Sequence, residues 1–424
     1  MATYGGDHHF LFVNDGSGRF VDEASERGAA RFGDGLHFGT SVAVGDLDGD
    51  GFFDLYVAHQ LPPHEATFTR PAVAARLLMN RGLEAPGYFR DASDLVPADL
   101  LEAPAFSPSL VDLDLDGATD LQVVANDGMS IILWNDGGDT LRDGTESADV
   151  ATSSAEMGST FGDIDGDGDL DWFISGTSCP MSSCGSSLEI EYETASRLFI
   201  NRGDRTFEDQ TEAAGLRWSY LGWGTAMFDP DNDGDLDIVL TNGWVTADRL
   251  QNEPDFYARD PMRFWRNDGT FPLVESAVEA GFDDDRPGQG LLVFDFDGDG
   301  RLDVLVVNAG GAPALYRNET QGDRDWLRVR CDAESRPFEG LGAVVRVWAD
   351  DGAPPQLRVI GASTHYLGQS ERVAHFGLGE RDGAPVRRVE VTWPRSRQVD
   401  VYEDVDPNTV LVVTAPVEEV ITPP

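Results

Sequence analysis

Lysine is absent from this chain: all 31 basic residues are arginine, against 76 aspartates and glutamates in 424 residues. The formal net charge of -45 argues against nucleic acid or an anionic membrane as a partner, because phosphate binding needs clustered positive charge. No apolar run approaches the roughly 18 residues of a transmembrane helix, so we expect no membrane insertion.

Cysteine is scarce, and its three copies exclude a disulfide scaffold. Cys179 and Cys184 lie in TSCPMSSCGSS, where a local disulfide is favoured over two free thiols but the pairing stays open. Cys331 lies in an apolar strand pattern and is expected to be a buried small hydrophobe. The N-terminal MATYGGDHHF lacks the apolar segment of a signal peptide, so we expect a cytoplasmic protein unless a secretion signal was removed.

Standard catalytic fingerprints are also lacking: the chain has no G-x-S-x-G, H-E-x-x-H, P-loop or dinucleotide motif. What it has is 47 glycines and 23 prolines that separate short apolar runs. That pattern predicts a many-stranded, all-β protein.

An internal repeat organises most of the chain. The motif D-x-D-x-D-G-x-x-D occurs five times, with spacings of 66, 51, 66 and 66 residues between first aspartates. An asparagine after an apolar run recurs in phase with it. The motifs are 46–54, 112–120, 163–171, 229–237 and 295–303, and the asparagines are Asn14, Asn80, Asn135, Asn201, Asn267 and Asn318.

The pattern of each repeat predicts four short antiparallel strands, which is the arrangement of a β-propeller blade. The sequence predicts a propeller over residues 1–320, with five clear blades and room for more. The N-terminal stretch HHFLFVNDGSGRFVDE reads as strands three and four. We therefore expect it to complete the last blade, whose motif supplies strands one and two, and so to close the ring.

The repeated aspartates predict calcium sites. Aspartates at positions 1, 3 and 5, with glycine at position 6, converge carboxylates as in an EF-hand loop, and position 9 can add another. Asp-Gly pairs also make ordinary turns, but five copies of four aspartates favour about five Ca²⁺ ions. The predicted ligands are Asp46, Asp48, Asp50, Asp54, Asp112, Asp114, Asp116, Asp120, Asp163, Asp165, Asp167, Asp171, Asp229, Asp231, Asp233, Asp237, Asp295, Asp297, Asp299 and Asp303.

With these loops, the chain resembles the FG-GAP/VCBS repeats of integrin α-subunits and cartilage acidic proteins. The stretch GWGTAMFDPDNDGDLDIVLTNG is close to the second group. From 321 to 424 the Asp loops stop and about six alternating runs predict a small β-sandwich. Within it, GLGAVVRV, THYLGQSERVAHFGLG and VEVTWP resemble the ASPIC/UnbV domain. Its histidines, His365 and His375, are expected to be structural.

Loop lengths predict where a ligand would bind. From first aspartate to next asparagine the distances are 34, 23, 38, 38 and 23 residues, so the connection between strands two and three varies most. In a blade, this connection lies on the face opposite the Asp loops, and function favours such loops. Arg217, Trp218, Tyr220 and Trp244 are the predicted ligand-binding residues, whereas Trp223 is expected to pack between blades.

Two functions remain open from the sequence. One is a non-catalytic module that binds a small organic molecule, a glycan or a protein. The other is implied by the occurrence of ASPIC/UnbV domains with enediyne-type polyketide pathways: a redox-cofactor-free enzyme for cyclisation, C–C bond formation or tailoring. Its candidate acid/base residues are His37, His59, Asp284, Arg286 and Tyr220.

Overall fold

The computed structural model describes residues 4–6, 8–30, 37–60, 75–125, 128–137, 140–177, 196–216, 219, 221–244, 259–332, 340–362, 364–394 and 396–415. Throughout these residues the protein is nearly all β. The described helices are single turns: the 3₁₀ turns Gly82–Glu84 and Ser93–Leu95, and α1 (Ala98–Leu101). The chain forms two compact units, residues 1–157 and 158–424.

Blades 1 and 2 lie in the first unit. Its strands are β1 (Tyr4–Gly6), β2 (Phe12–Asn14), β3 (Phe20–Asp22), β4 (His37–Gly45), β5 (Asp54–His59), β6 (Arg76–Arg81), β7 (Ala85–Asp91), β8 (Ser107–Val111), β9 (Asp120–Val124), β10 (Gly128–Met129), β11 (Ile131–Asn135), β12 (Leu141–Asp143) and β13 (Ser153–Ser154). Blade 1 is β4-β5-β6-β7 with β1 added at its edge, and blade 2 is β8-β9-β11-β12. β2 pairs with β3, and β10 with β13.

Blades 3, 4 and 5 follow along the chain. Their strands are β14 (Glu156–Gly162), β15 (Asp171–Gly176), β16 (Arg197–Asn201), β17 (Phe207–Asp209), β18 (Gly222–Phe228), β19 (Asp237–Asn242), β20 (Arg263–Arg266), β21 (Val274–Glu275), β22 (Gly288–Phe294), β23 (Asp303–Asn308) and β24 (Ala314–Tyr316). Blade 3 is β14-β15-β16-β17, blade 4 is β18-β19-β20-β21, and blade 5 is the three-stranded β22-β23-β24.

Within each unit, apolar cores lie between neighbouring blades. Phe173 and Leu240 share one core between blades 3 and 4, and Phe264 and Leu291 share another between blades 4 and 5. First strands of neighbouring blades pack together, as β18 does on β22. Gly224 permits this approach, because a Cβ there would come within 2.7 Å of the Gln289 carbonyl oxygen. The predicted β-propeller architecture is confirmed.

The C-terminal sandwich is also confirmed. Its strands are β25 (Asp325–Asp332), β26 (Val344–Trp348), β27 (Gln356–Val359), β28 (Thr364–His365), β29 (Gly368–Gln369), β30 (Ala374–Gly379), β31 (Val386–Thr392), β32 (Val399–Val405) and β33 (Thr409–Thr414). Sheets β30-β25-β33 and β27-β26-β31-β32 share one apolar core. Leu327, Val329 and the free, fully buried Cys331 project into it from alternate positions of β25, as predicted for Cys331.

One topological prediction was wrong. β24, close to the last motif, occupies the third position of blade 5, and β2 and β3 form a two-stranded sheet of their own. The N-terminal strands therefore do not supply the third strand of the last blade. The predicted domain boundary at residue 320 falls inside the second compact unit and stays a prediction. Cys179 and Cys184 lie outside the described residues.

Candidate metal loops and the opposite face

Five Asp loops join the first and second strands of the blades: loop 1 (46–54), loop 2 (112–120), loop 3 (163–171), loop 4 (229–237) and loop 5 (295–303). In each loop, three carboxylates offer oxygens that all lie within 4.8 Å of one another. Positions 1, 3 and 5 form the group in loops 1, 4 and 5, and positions 1, 3 and 9 form it in loops 2 and 3. The groups are Asp46, Asp48, Asp50; Asp112, Asp114, Asp120; Asp163, Asp165, Asp171; Asp229, Asp231, Asp233; and Asp295, Asp297, Asp299.

Hydrogen bonds within each loop, from main-chain N–H groups to the carboxylates of the same loop, hold the loop in its conformation. In loop 4, Asp229 Oδ2 accepts a hydrogen bond from Gly234 N (2.9 Å), and Asp233 Oδ1 accepts one from Asp235 N (3.0 Å). The glycine at position 6 has φ of 102° in loop 4, a left-handed conformation that strains other residues. Position 4 is left-handed in every loop, even where it is Leu115. The motif is therefore a backbone requirement as well as a set of carboxylates.

The aspartate at position 9 ties its loop to the third strand of the same blade. In blade 1, Asp54 Oδ2 accepts a hydrogen bond from Leu47 N and Oδ1 accepts one from Asn80 N, both at 2.8 Å. Asp120, Asp171 and Asp303 make the equivalent pairs of bonds. In loop 4 the second position is Pro230, which has no N–H to donate, and Asp237 accepts its hydrogen bond from Asn267 N at 2.7 Å.

The repeated asparagine, to which the sequence assigned no role, links consecutive blades. Asn135 Nδ2 donates to the Leu47 carbonyl of loop 1 (2.8 Å), and Asn267 Nδ2 donates to the Ile164 carbonyl of loop 3 (2.9 Å). In each pair the acceptor is position 2 of the preceding blade's loop. Strict phase with the Asp motif was the only sequence signal for this role.

Burial makes several aspartates of the loops costly to ionise. Burial is the largest cause that raises the pKa of Asp54 to about 8 and that of Asp237 to about 9, and neighbouring loop aspartates raise both further. Burial likewise raises the pKa of Asp229 to about 7. A carboxylate held among other carboxylates is stabilised in its charged form by a cation.

The residues present fit a hard cation. Oδ1 of Asp163 is buried with no hydrogen-bond partner, although its carboxylate is an acceptor that normally finds a donor. The donors of its cluster are carboxylate oxygens, the ligand type that Ca²⁺ takes and that zinc and copper do not select.

On the opposite side of blade 4, the structure places one of the four predicted ligand-binding residues. Trp244 follows β19, is 38% exposed and stacks on Trp223 with ring centroids 5.3 Å apart. Trp223 is buried, donates Nε1–H to the Gly243 carbonyl (2.8 Å) and contacts the Tyr366 ring from the C-terminal sandwich. The sequence predicted no role for Tyr366, which lies in the THYLGQSERVAHFGLG motif. Arg217, Trp218 and Tyr220 lie outside the described residues.

Of the catalytic candidates in the first unit, His59 is buried at the end of β5, with Nε2 2.8 Å from Nε2 of His9. The other, His37, begins β4, and its side chain lies outside the described residues.

In the second unit, Asp284 accepts hydrogen bonds from Arg286, including an ion pair of 2.6 Å. Burial opposes ionisation of Asp284, but the bonds from Arg286 outweigh it and hold its pKa below the ordinary value. Asp284 is thus held as a carboxylate, not as a proton donor. The remaining candidate, Tyr220, is not described.

His365 and His375 are buried and hydrogen-bonded, to Thr225 and Ser370 and to Asn232 respectively. This placement agrees with the structural role expected of them. Among the described residues, no helix is long and apolar enough to cross a membrane.

Comparison with protein families matches three parts of the chain. Residues 334–420 match ASPIC and UnbV, residues 112–174 match the FG-GAP-like repeat, and residues 38–60 match the FG-GAP repeat. Cartilage acidic protein 1 of Homo sapiens is 30% identical over 272 residues, which is 52% of this chain and 40% of the human protein. The Mus musculus protein is 29% identical over 293 residues, 56% of this chain and 44% of its own length. The matches thus span less than half of these relatives.

Solved structures give weaker likenesses. "YCF48 bound to D1 peptide" aligns with a TM-score of 0.34 and 12% identity, covering 76% of this chain and 89% of that one. The Bacillus licheniformis rhamnogalacturonan lyase PL11 aligns with a TM-score of 0.36 and 12% identity, covering 87% of this chain and 65% of that one. At these scores, neither likeness supports an argument about function.

Proposed function

Because the chain combines FG-GAP repeats with an ASPIC/UnbV domain, we propose that it is a calcium-stabilised β-propeller that binds a ligand on the face opposite its Asp loops. The calcium part rests on one observation above the others. Five loops each bring three carboxylates within 4.8 Å, and in loop 3 a buried carboxylate oxygen has no protein donor. Calcium satisfies that oxygen and offsets the repulsion among the three.

Calorimetric titration of the metal-free chain with CaCl₂ tests this proposal. We expect about five ions bound, and one fewer in Asp165→Asn, which removes a carboxylate from the loop 3 cluster. Asp149→Asn, in an exposed turn outside the loops, is the control and should bind the wild-type number. Failure of the wild-type chain to bind Ca²⁺ at millimolar concentration would overturn the proposal.

The ligand part rests on Trp244. A half-exposed tryptophan fixed by stacking on a buried one presents a rigid flat surface, which suits a sugar ring or an aromatic group. Glycan-array binding tests the sugar class, and Trp244→Ala should abolish the signal. Phe20→Ala, at an exposed aromatic of β3, is the matched control. Equal binding by the two variants, or none by the wild type, would exclude Trp244 as a glycan platform.

The alternative, a redox-cofactor-free tailoring enzyme, stays a hypothesis. Two of its candidate acid/base residues already have hydrogen-bond partners in the structure: Asp284 forms an ion pair with Arg286, and His59 is hydrogen-bonded to His9. No arrangement of the described candidates favours catalysis over binding.

A further inference from the structure

The C-terminal sandwich contacts the main chain of Asp loops 4 and 5. Gly379 N donates to the Asn232 carbonyl (2.8 Å), and His375 Nε2 lies 2.7 Å from Asn232 Oδ1. Asn232, at position 4 of loop 4, donates in turn from Nδ2 to the Gly300 carbonyl of loop 5 (3.2 Å). One loop residue therefore joins strand β30 to both metal loops.

A buried arginine makes the second connection. Arg328 lies opposite His375 in the β25–β30 pair and donates from Nη1 to Asp295 Oδ2 (3.0 Å), at position 1 of loop 5. Its Nη2 bonds Glu371, whose carboxylate also accepts Asp295 N at 3.2 Å. Arg328 is 8% exposed, so its charge depends on these two carboxylates.

The fit between the sandwich and the loops is close enough to depend on loop shape. A Cβ at Gly377 of β30 would overlap Asp229 Oδ2 and the main chain of Asn232. A Cβ at Gly300 would overlap the Trp326 ring. The docking surface, here called the seat, consists of Asp229, Asn232, Asp295 and Gly300.

We propose that calcium in loops 4 and 5 holds the C-terminal sandwich in this seat, so that removing the metal loosens the sandwich. The inference rests on the calcium binding proposed above. Without the ion, three carboxylates repel one another in each loop, and the loop relaxes away from the backbone geometry that Asn232 and Gly300 present. Metal and docking then stabilise each other, because each favours the same loop conformation.

One effect acts in the opposite sense. In loop 4, Arg324 pairs with Asp231 Oδ2 (2.8 Å). In loop 5, Arg317 pairs with Asp297 (2.9 Å), and Arg301 pairs with Asp299. A cation in either loop competes with these arginines for the carboxylates. The side chains of these three arginines are about a third to a half exposed, and ion pairs of that kind contribute little.

Arg328 also shares Asp295 with the cation, but its second carboxylate, Glu371, lies outside the metal group and keeps its charge paired. We expect the close fit of Asn232 and Gly377 to outweigh this competition, so that calcium tightens docking.

Hydrogen–deuterium exchange of the full chain, in excess Ca²⁺ and in chelator, tests the proposal. Amides of β25 and β30 should exchange at least five-fold faster in chelator than in calcium, the lower end of typical coupling between sites. In calcium, Arg328→Gln should speed exchange of β30. Arg330→Gln, at the next residue on the same strand face, should not, because exposed Arg330 pairs with half-exposed Asp332 in the described contacts.

Reciprocity supplies a second measurement that does not depend on removing metal ligands. Gly377→Ala forces β30 away from loop 4, so calorimetry should show a five-fold or greater loss of Ca²⁺ affinity at two sites, with the others unchanged. If calcium binds normally but β25 and β30 exchange alike in calcium and chelator, the coupling is wrong while the proposed calcium function stands. If no calcium binds, the proposed function itself fails.

Discussion

Among single residues, the aspartate at position 9 of loop 1, Asp54, separates a structural role from a metal role. In loop 1, both oxygens of Asp54 accept backbone N–H groups, and the close carboxylate group comprises Asp46, Asp48 and Asp50 instead. In excess calcium, Asp54→Asn should therefore leave the number of bound ions unchanged. It should lower the free energy of unfolding by about 1–3 kcal/mol, because a buried N–H loses its acceptor.

Urea unfolding and calcium titration of the same variant check this expectation. Asp48→Asn is the matched control, since it removes a member of the carboxylate group without breaking either backbone bond, and it should lose one ion. If Asp54→Asn loses an ion as well, position 9 is a ligand in loop 1, as the sequence predicted for every loop.

The sequence pattern identifies the loop aspartates, but it does not show which three of them in each loop form the close carboxylate group. The motif gives the same residue type at positions 1, 3, 5 and 9, whereas the backbone decides which oxygens converge. The third member of the group is the aspartate at position 9 in loops 2 and 3 and the aspartate at position 5 in loops 1, 4 and 5. These residues are Asp120 and Asp171, and Asp50, Asp233 and Asp299, respectively. Such a difference of a few ångströms depends on loop torsions that the motif does not encode.

At the scale of strands and blades, the repeated asparagine was visible in the sequence, but its role was not predicted. Asn267 Nδ2 bonds the Ile164 and Leu236 carbonyls, and its Oδ1 accepts Gly269 N at 3.0 Å. Asn267→Ala leaves those buried carbonyls without their donor. We expect it to lower the free energy of unfolding by about 1–3 kcal/mol.

The asparagine at position 14 provides the control for this prediction. Asn14 occupies the same place in the repeat but is exposed, and its Oδ1 accepts Gly16 N and Gly18 N. Asn14→Ala should change stability by no more than about 0.5 kcal/mol, as for most surface substitutions. Equal losses in the two variants, measured by chemical denaturation, would mean that the link between blades contributes nothing of its own.

Strands with apolar alternation were predictable, and strands without it were not. The six C-terminal runs correspond to β25, β26, β27, β30, β31 and β33. The sequence pattern did not predict β32, whose residues stay largely exposed at a sheet edge, or the two-residue strands β28 and β29. Nor did it predict β24, although Asn318 lies two residues after the end of that strand and marks the end of a third strand in the other repeats. The seat of the sandwich could not be predicted, because it joins residues far apart in the chain.

For the whole molecule, the net charge of -45 makes metal binding and general screening two competing explanations of stability. At matched ionic strength, excess Ca²⁺ should raise the melting temperature well above its value in chelator. A site saturated at 100 times its dissociation constant contributes about 2.7 kcal/mol to the free energy of unfolding, and the contributions of several sites add together.

NaCl at the same ionic strength should reproduce only a small part of the gain in melting temperature, because it screens exposed charges and leaves the buried carboxylates unneutralised. Asp229→Ala, which removes a buried carboxylate of the loop 4 group, should lower the calcium-dependent gain more than Asp149→Asn, which changes an exposed turn and keeps its left-handed backbone unstrained. Differential scanning calorimetry measures the melting temperature of the wild type in calcium, in chelator and in NaCl, and that of both variants in calcium and in chelator. Equal melting temperatures in calcium and in chelator would refute structural calcium, and a full gain with NaCl alone would assign the effect to screening of the acidic surface.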